Sequence, residues 1–184
     1  MIKKRLFFGM MLGTAILINS CSKSDSTTWD ETNYFYAASE LPYGTTDFSK
    51  LKTTDFKPAL LEGMRQQLEE IEKISNNSDA PNFENTLVEL EKTGQLLGRV
   101  SSSFNILTGT ETNEELQALE EELSPKFAAH SDAIYLNGKL FDRVKAIYDQ
   151  KATLNLDTES ARLLDTYYER FVLAGAGLPE AEKE

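Results

Sequence analysis

One histidine, His130, and one cysteine, Cys21, make up the whole supply of imidazole and thiol in this 184-residue chain. A catalytic zinc needs three protein ligands drawn mainly from His, Cys and carboxylate, with a fourth position left for water. With His130 as one ligand, both others would have to be carboxylates. The acidic clusters are Glu69 with Glu70, Glu89 with Glu91, and Glu120 to Glu122. Neighbouring positions on a helix do not face each other, so these clusters read as solvated helical faces and not as acid/base pairs or a calcium site. The chain has no Asp-x-Asp-x-Asp-Gly loop, no Gly-rich phosphate loop and no Gly-x-Ser-x-Gly elbow. His130 falls on an apolar stripe, where a packed imidazole bonded to a backbone carbonyl is the default. The residue inventory therefore offers no catalytic, cofactor-binding or metal-binding side chain.

Cys21 has a different chemistry in prospect. Lys3, Lys4 and Arg5 give a positive start, and Leu6 to Ile18 is mostly apolar but too short to span a bilayer as a mature helix. The following Ile18-Asn-Ser-Cys21 resembles a bacterial lipoprotein cleavage site. This predicts a signal peptide over 1–20 and Cys21 as the lipidated N-terminus of an exported lipoprotein. The acyl chains then hold the protein to a membrane of the cell envelope at about 0.8 kcal/mol per buried CH₂. The alternative is a soluble secreted protein in which Cys21 lies past some other cleavage point. With no second cysteine, an intramolecular disulfide is impossible.

Loss of the three leader cations takes the formal charge from -11 to -14. Nucleic acid is excluded as a partner, because phosphate neutralisation requires a concentrated basic face. Roughly 160 processed residues suffice for one domain with its own core.

Residues 21–52 show neither helical nor strand period, and the first ten read as a tether. Trp29, Tyr34, Phe35, Tyr36, Leu41, Pro42, Tyr43 and Phe48 are too apolar for a free linker, which predicts an extended arm laid over a domain surface that buries them. Residues 53–184 are helical by period. Asp55 caps a first helix with Pro58 in its first turn and a stripe of Phe56, Leu60, Met64, Leu68, Ile71 and Ile74. Asn82 caps a second, on which Phe83, Leu87, Leu90, Gly94, Leu97, Val100, Phe104 and Leu107 recur at threes and fours. Gly94 and Gly98, each costing roughly 1 kcal/mol in propensity, suggest that a neighbouring helix crosses closely there.

Thr112 with Glu115 has the form of a capping box opening a third helix. Its stripe is Leu116, Leu119, Leu123, Phe127, His130 and Ile134, with Pro125 expected to kink or divide it. A fourth helix starts near Asn137 and carries Leu140, Phe141, Val144, Ile147 and Tyr148. A fifth starts near Asp157, carries Leu164, Tyr167, Phe171 and Ala174, and stops at Gly175 and Gly177. No segment makes a strand, so the class is all-α, an antiparallel helical domain. Pro179-Glu-Ala-Glu182 opens like another helix before the sequence stops at Glu184, which predicts truncation within an element.

Pro81-Asn-Phe-Glu-Asn-Thr86 and His130-Ser-Asp-Ala-Ile-Tyr-Leu-Asn-Gly-Lys-Leu-Phe141 together resemble the N-terminal helical region of the zinc peptidyl-dipeptidases, relatives of thimet oligopeptidase and oligopeptidase A. The likeness is collinear from about Leu41 to the end. It includes Leu41-Pro42-Tyr43 with Phe48, Phe83 to Lys92, Leu119 to Glu122, Phe141 to Ala146, and Glu159 to Gly175.

The resemblance implies a wall or lid over a deep channel that admits short peptides. It also implies a zinc held elsewhere by a His-Glu-x-x-His helix and a further glutamate, with zinc-polarised water attacking the scissile carbonyl to release C-terminal dipeptides. None of those catalytic positions exists in these 184 residues, so the chain alone is expected to be inactive. Three readings follow: the N-terminal piece of a lipid-anchored peptidyl-dipeptidase, a free-standing helical lipoprotein that binds peptides or a partner without catalysis, and a structural envelope protein. An uncovered apolar helix face would favour the first.

Overall fold

The computed structural model describes residues 28–178, all of them helix, turn or irregular chain and none of them strand. The leader, Cys21 and the helix expected from Pro179 lie outside the described residues. Six α-helices follow one another: α1 (Thr53–Ser75), α2 (Glu89–Lys92), α3 (Gln95–Thr110), α4 (Glu114–Tyr135), α5 (Gly138–Tyr148) and α6 (Thr158–Ala174). A wide π-helical turn over Phe83–Val88 leads into α2.

The 3.6-residue period of the apolar positions explains the packing. α1 is the central element, lying against α3 and α4 and also against α5 and α2. Its first half supplies Phe56, Ala59 and Leu60 to one apolar cluster, together with Leu96, Val100 and Phe104 of α3, Leu116 and Leu123 of α4, and Phe35. Its second half supplies Ile71 and Ile74 to another, with Leu87, Leu90, Ile134, Leu140, Phe141, Val144, Ile147, Leu164 and Phe171. Each fully buried side chain of this size contributes about 1.5–3 kcal/mol. Helices α1 and α4 run through both clusters, and the polar groups described below lie where one cluster gives way to the other.

Several caps fall where the sequence places them. Asn82 Oδ1 accepts from the Asn85 amide at 2.8 Å and Asn85 Oδ1 from the Asn82 amide at 2.9 Å. Asn137 accepts from the Leu140 amide at 3.0 Å, and Asp157 from the Ser160 amide at 2.8 Å. At Gly175 the 5→2 and 6→1 bonds, Gly175 N to Val172 O and Ala176 N to Phe171 O, close α6 at 3.0 Å each. Gly177 takes no part in that stop; it lies beside the Phe141 ring.

Others move. Helix α1 begins two residues before Asp55, whose carboxylate reaches back to the Lys52 amide at 2.9 Å from inside the first turn. Pro58 consequently falls in the second turn. The cap of α4 is Asn113, which accepts from the Leu116 amide at 2.9 Å, and not Thr112. Asparagine is the better acceptor at this position. Helix α4 continues past Pro125 undivided; Pro125 and the residue four before it, Glu121, are both exposed, so water can take the carbonyl that the ring deprives of a partner.

The expected second helix is two. Thr93 is extended (ψ 156°) and Gly94 is left-handed (φ 70°), which breaks the chain between α2 and α3. A Cβ at Gly94 would lie 2.5 Å from Gln67 Nε2. Gly98 has open space around it, so the close crossing of α1 and α3 does not depend on it. The crossing glycine is Gly63 on α1, where a Cβ would stand 2.8 Å from the Cα of Leu97.

The arm is not extended. Asp30, Asn33 and Asp47 each accept from the backbone amide two residues on, at 2.9, 2.9 and 3.2 Å, so the segment runs as successive turns. It anchors through Phe35, which is 1% exposed, through Asn33 Nδ2 donating to Asp55 O at 2.9 Å, and through Arg99, which donates to Phe35 O at 2.7 Å. Trp29 and Tyr34 are half-buried, whereas Tyr36, Leu41, Tyr43 and Phe48 remain exposed, contrary to the burial their apolarity predicts.

Candidate functional site

Between the two apolar clusters runs a polar seam. Gln67 follows Met64 on α1, His130 lies between Phe127 and Ile134 on α4, and Thr93 with Gly94 breaks the chain between Leu90 and Leu96. His130 Nε2 lies 2.8 Å from Gln67 Oε1, Gln67 Nε2 donates to Thr93 Oγ1 at 3.2 Å, and Thr93 Oγ1 donates to Leu90 O at 2.8 Å. Glu70 takes the amide that the break frees, accepting from Gly94 N at 2.8 Å. Because Gln67 spends its amino group on Thr93, its oxygen faces the imidazole, which fixes the proton of a neutral His130 on Nε2. His130 is 8% exposed, its Nδ1 has no partner, and burial holds its pKa below the ordinary value. The expected backbone-carbonyl partner is thus replaced by a side-chain amide on another helix.

A second polar knot joins α5 to the loop and cap that precede the π-helical turn. Arg143 of α5, buried, donates to Asn77 O at 2.8 Å, to Asp79 O at 3.1 Å and to Asn85 Oδ1 at 2.9 Å. It therefore fixes the loop between α1 and the π-helical turn to the reciprocal cap formed by Asn82 and Asn85. Sequence reasoning missed Arg143. The only available signal was a loop rich in Asn and Asp facing a cation on an otherwise apolar stripe.

A group of ionisable side chains lines a cleft of about 210 Å³ between α1, α2, α4 and α6. The Tyr167 hydroxyl donates to Glu91 Oε1 at 2.6 Å, and the guanidinium of Arg170 stands 4.6 Å from the centre of the Tyr135 ring. Burial raises the Tyr167 pKa, and the Glu91 carboxylate raises it further. Burial also raises that of Tyr135, against the pull of Arg170. Both phenols stay protonated, so each offers a hydroxyl and a ring surface and not a phenolate.

The carboxylate clusters are occupied separately. Glu69 pairs with Arg65, Glu89 with Lys92 at 2.8 Å, and Glu122 with Lys57 at 2.7 Å, while Glu70 and Glu91 take the contacts just described. Among the described residues, no three His, Cys, Asp or Glu side chains come together in a way that could hold a metal ion. The donor set does not fit a catalytic zinc: the one imidazole has its Nε2 engaged by Gln67 and its Nδ1 enclosed.

No protein-family model matches the chain. It is 49% identical over 152 residues to a dipeptidyl carboxypeptidase of Salmonella typhimurium, covering 83% of this chain and 22% of that protein. It is 44% identical over 151 residues to the dipeptidyl carboxypeptidase of Escherichia coli, again 22% of that protein. To oligopeptidase A of Escherichia coli it is 22% identical over 143 residues. The chain thus spans about a fifth of the length of the curated relatives it matches. The turn fixed by Asn82, Asn85 and Arg143, and the helices that pack around it, are accordingly those of a chain that matches the N-terminal part of a peptidyl-dipeptidase.

Proposed function

We propose that this chain is the lid or wall portion of a membrane-anchored zinc peptidase that releases dipeptides from the C-termini of short peptides. The observation that carries the reading is the 49% identity to a dipeptidyl carboxypeptidase over a stretch that is only 22% of that protein. The chemistry belongs to the remaining part of such a protein, because the donor set here does not fit a catalytic metal. Zinc would supply a polarised water there; these helices would supply an antiparallel scaffold that limits access to it. An uncovered apolar end of α6 supports the same reading: Leu173 is 86% exposed, with Val172 and Leu178 also exposed beside it. Such side chains at the end of an otherwise well-packed helix are suited to contact with a further part of a larger protein.

Residues 1–20 act in this reading as the lipoprotein signal, residues 21–52 as tether and arm, and lipid on Cys21 as the membrane attachment in the cell envelope. No helix among the described residues is long and apolar enough to cross a membrane.

Two experiments test the proposal. A graft of residues 28–178 in place of the matching part of the Salmonella enzyme should keep dipeptide release, while the chain alone should show none with or without zinc. Zinc-dependent release by the chain alone, or a folded but inactive graft, contradicts it. Metabolic labelling with palmitate should mark the chain and fail to mark Cys21→Ser; equal labelling of both removes the anchor.

A further inference from the structure

We propose that the cleft between α2, α4 and α6 binds a dipeptide zwitterion, with Arg170 receiving its carboxylate and Glu91 its ammonium group. The two charges line the same cleft, yet no ion pair within 4.0 Å joins Arg170 to a carboxylate among the described residues. Each is instead held by an aromatic side chain of its own. Tyr167 donates to one oxygen of Glu91 at 2.6 Å and leaves the other free. The Tyr135 ring, 4.6 Å from the guanidinium carbon, supports Arg170. A planar fork so placed can meet a carboxylate with two parallel N–H donors.

The cleft that both charges line has room for a small ligand. The cleft of about 210 Å³ corresponds to about seven water molecules at ~30 Å³ each, the scale of a small dipeptide. Gln67 lines it as well, and after donating one N–H to Thr93 its amide group has a second to offer a peptide carbonyl. Gln67 is in turn fixed by His130. Donor, acceptor and cation are therefore in place before a ligand arrives, which reduces the ordering cost of binding.

This inference rests on the cleft and not on the peptidase reading; the graft experiment can fail or succeed without bearing on it. The test is calorimetric titration of the purified chain with alanylalanine, its N-acetyl derivative and its C-terminal amide. Alanylalanine should bind saturably. Either blocked form should bind at least about tenfold more weakly, as should alanylalanine to Arg170→Gln or Glu91→Gln; tenfold corresponds to about 1.4 kcal/mol. Arg162→Gln, an exposed arginine on the same helix, should leave binding unchanged, and far-UV circular dichroism should show every variant folded. Absence of saturable binding to the unaltered chain overturns the proposal, and so does binding that neither cleft substitution weakens.

Discussion

Replacing Gly63 by alanine should destabilise the domain even though alanine is the better helix former. Gly63 lies within α1, where the exchange alone is worth about 1 kcal/mol in favour of alanine. Opposing it, the new Cβ would stand 2.8 Å from the Cα and 2.9 Å from the N of Leu97 on α3. Carbon atoms rest at ~3.5–4.0 Å, so the helices must separate by roughly 1 Å at their closest point. Both contacted atoms are backbone and cannot turn aside. Overpacking of this kind costs about 1–3 kcal/mol, and here it strikes the main packing partner of α1. With both contacts on backbone the upper part of that range applies, about 2–3 kcal/mol; the net loss is then about 1–2 kcal/mol, which at ~2–4 °C per kcal/mol lowers Tm by about 2–8 °C.

The control is Gly98→Ala on α3, where a Cβ meets nothing within 4 Å. With no clash to offset the propensity term, it should stabilise by about 0.5–1 kcal/mol. Urea unfolding followed by far-UV circular dichroism measures both. A Gly63→Ala protein as stable as the parent, or a Gly98→Ala protein less stable than it, refutes the assignment of the close approach to Gly63.

His130 gives a pH prediction with a definite sign. Its folded pKa lies below the unfolded value because burial disfavours the cation, so its contribution is fully present above the ordinary histidine pKa and is lost as pH falls through the folded one. Denaturant midpoints of the parent and His130→Gln should therefore converge as pH is lowered from 8 to 5; parallel curves would show that His130 is not buried neutral. Arg143→Met leaves the Asn77 and Asp79 carbonyls and Asn85 Oδ1 without their common donor and should cost about 3 kcal/mol in urea unfolding; a loss below about 1 kcal/mol would mean that the loop repairs itself. Leu173→Ser, at a side chain 86% exposed, should change stability by no more than about 0.5 kcal/mol. A large loss on equilibrium unfolding would place Leu173 in a core.

Legibility from sequence differs by the range of the interaction. Asn82, Asn137 and Asp157 are readable because a cap is a local bond to an amide three residues on. Thr112 loses to Asn113 by one position, the usual scale of error where two acceptors are adjacent. The break at Thr93 and Gly94 is hidden for another reason. Leu90 and Leu97 lie seven apart, so the apolar period runs on through the break and reports one helix where the backbone makes two. The spacing marks Gly94 as a crossing point; its left-handed turn instead meets Gln67 and Glu70, which lie on another helix. Arg143 is marked in the sequence only as a cation on an apolar stripe, since burial of an arginine depends on where three distant acceptors come to rest.

The same distinction governs the two functional readings. An inventory argument, that one imidazole and scattered carboxylates do not make a catalytic zinc site, needs no coordinates; the fold adds separate partners for Glu69, Glu70, Glu89, Glu91 and Glu122. The cleft needs coordinates throughout. Glu91 and Arg170 are 79 positions apart in the sequence, and neither their type nor their spacing brings them together. What brings them to one cleft is the contact of α2 with α6, made by Tyr167 on Glu91. The break before Gly94 ends α2 and turns the chain towards α3. A helix continuous from Asn82 to Leu107 would keep Gly94 in a helical conformation. The Glu70 contact would then lose its free amide, and the Thr93 hydroxyl its position against Gln67. The polar seam thus has a local cause: a left-handed glycine at the junction of two apolar clusters.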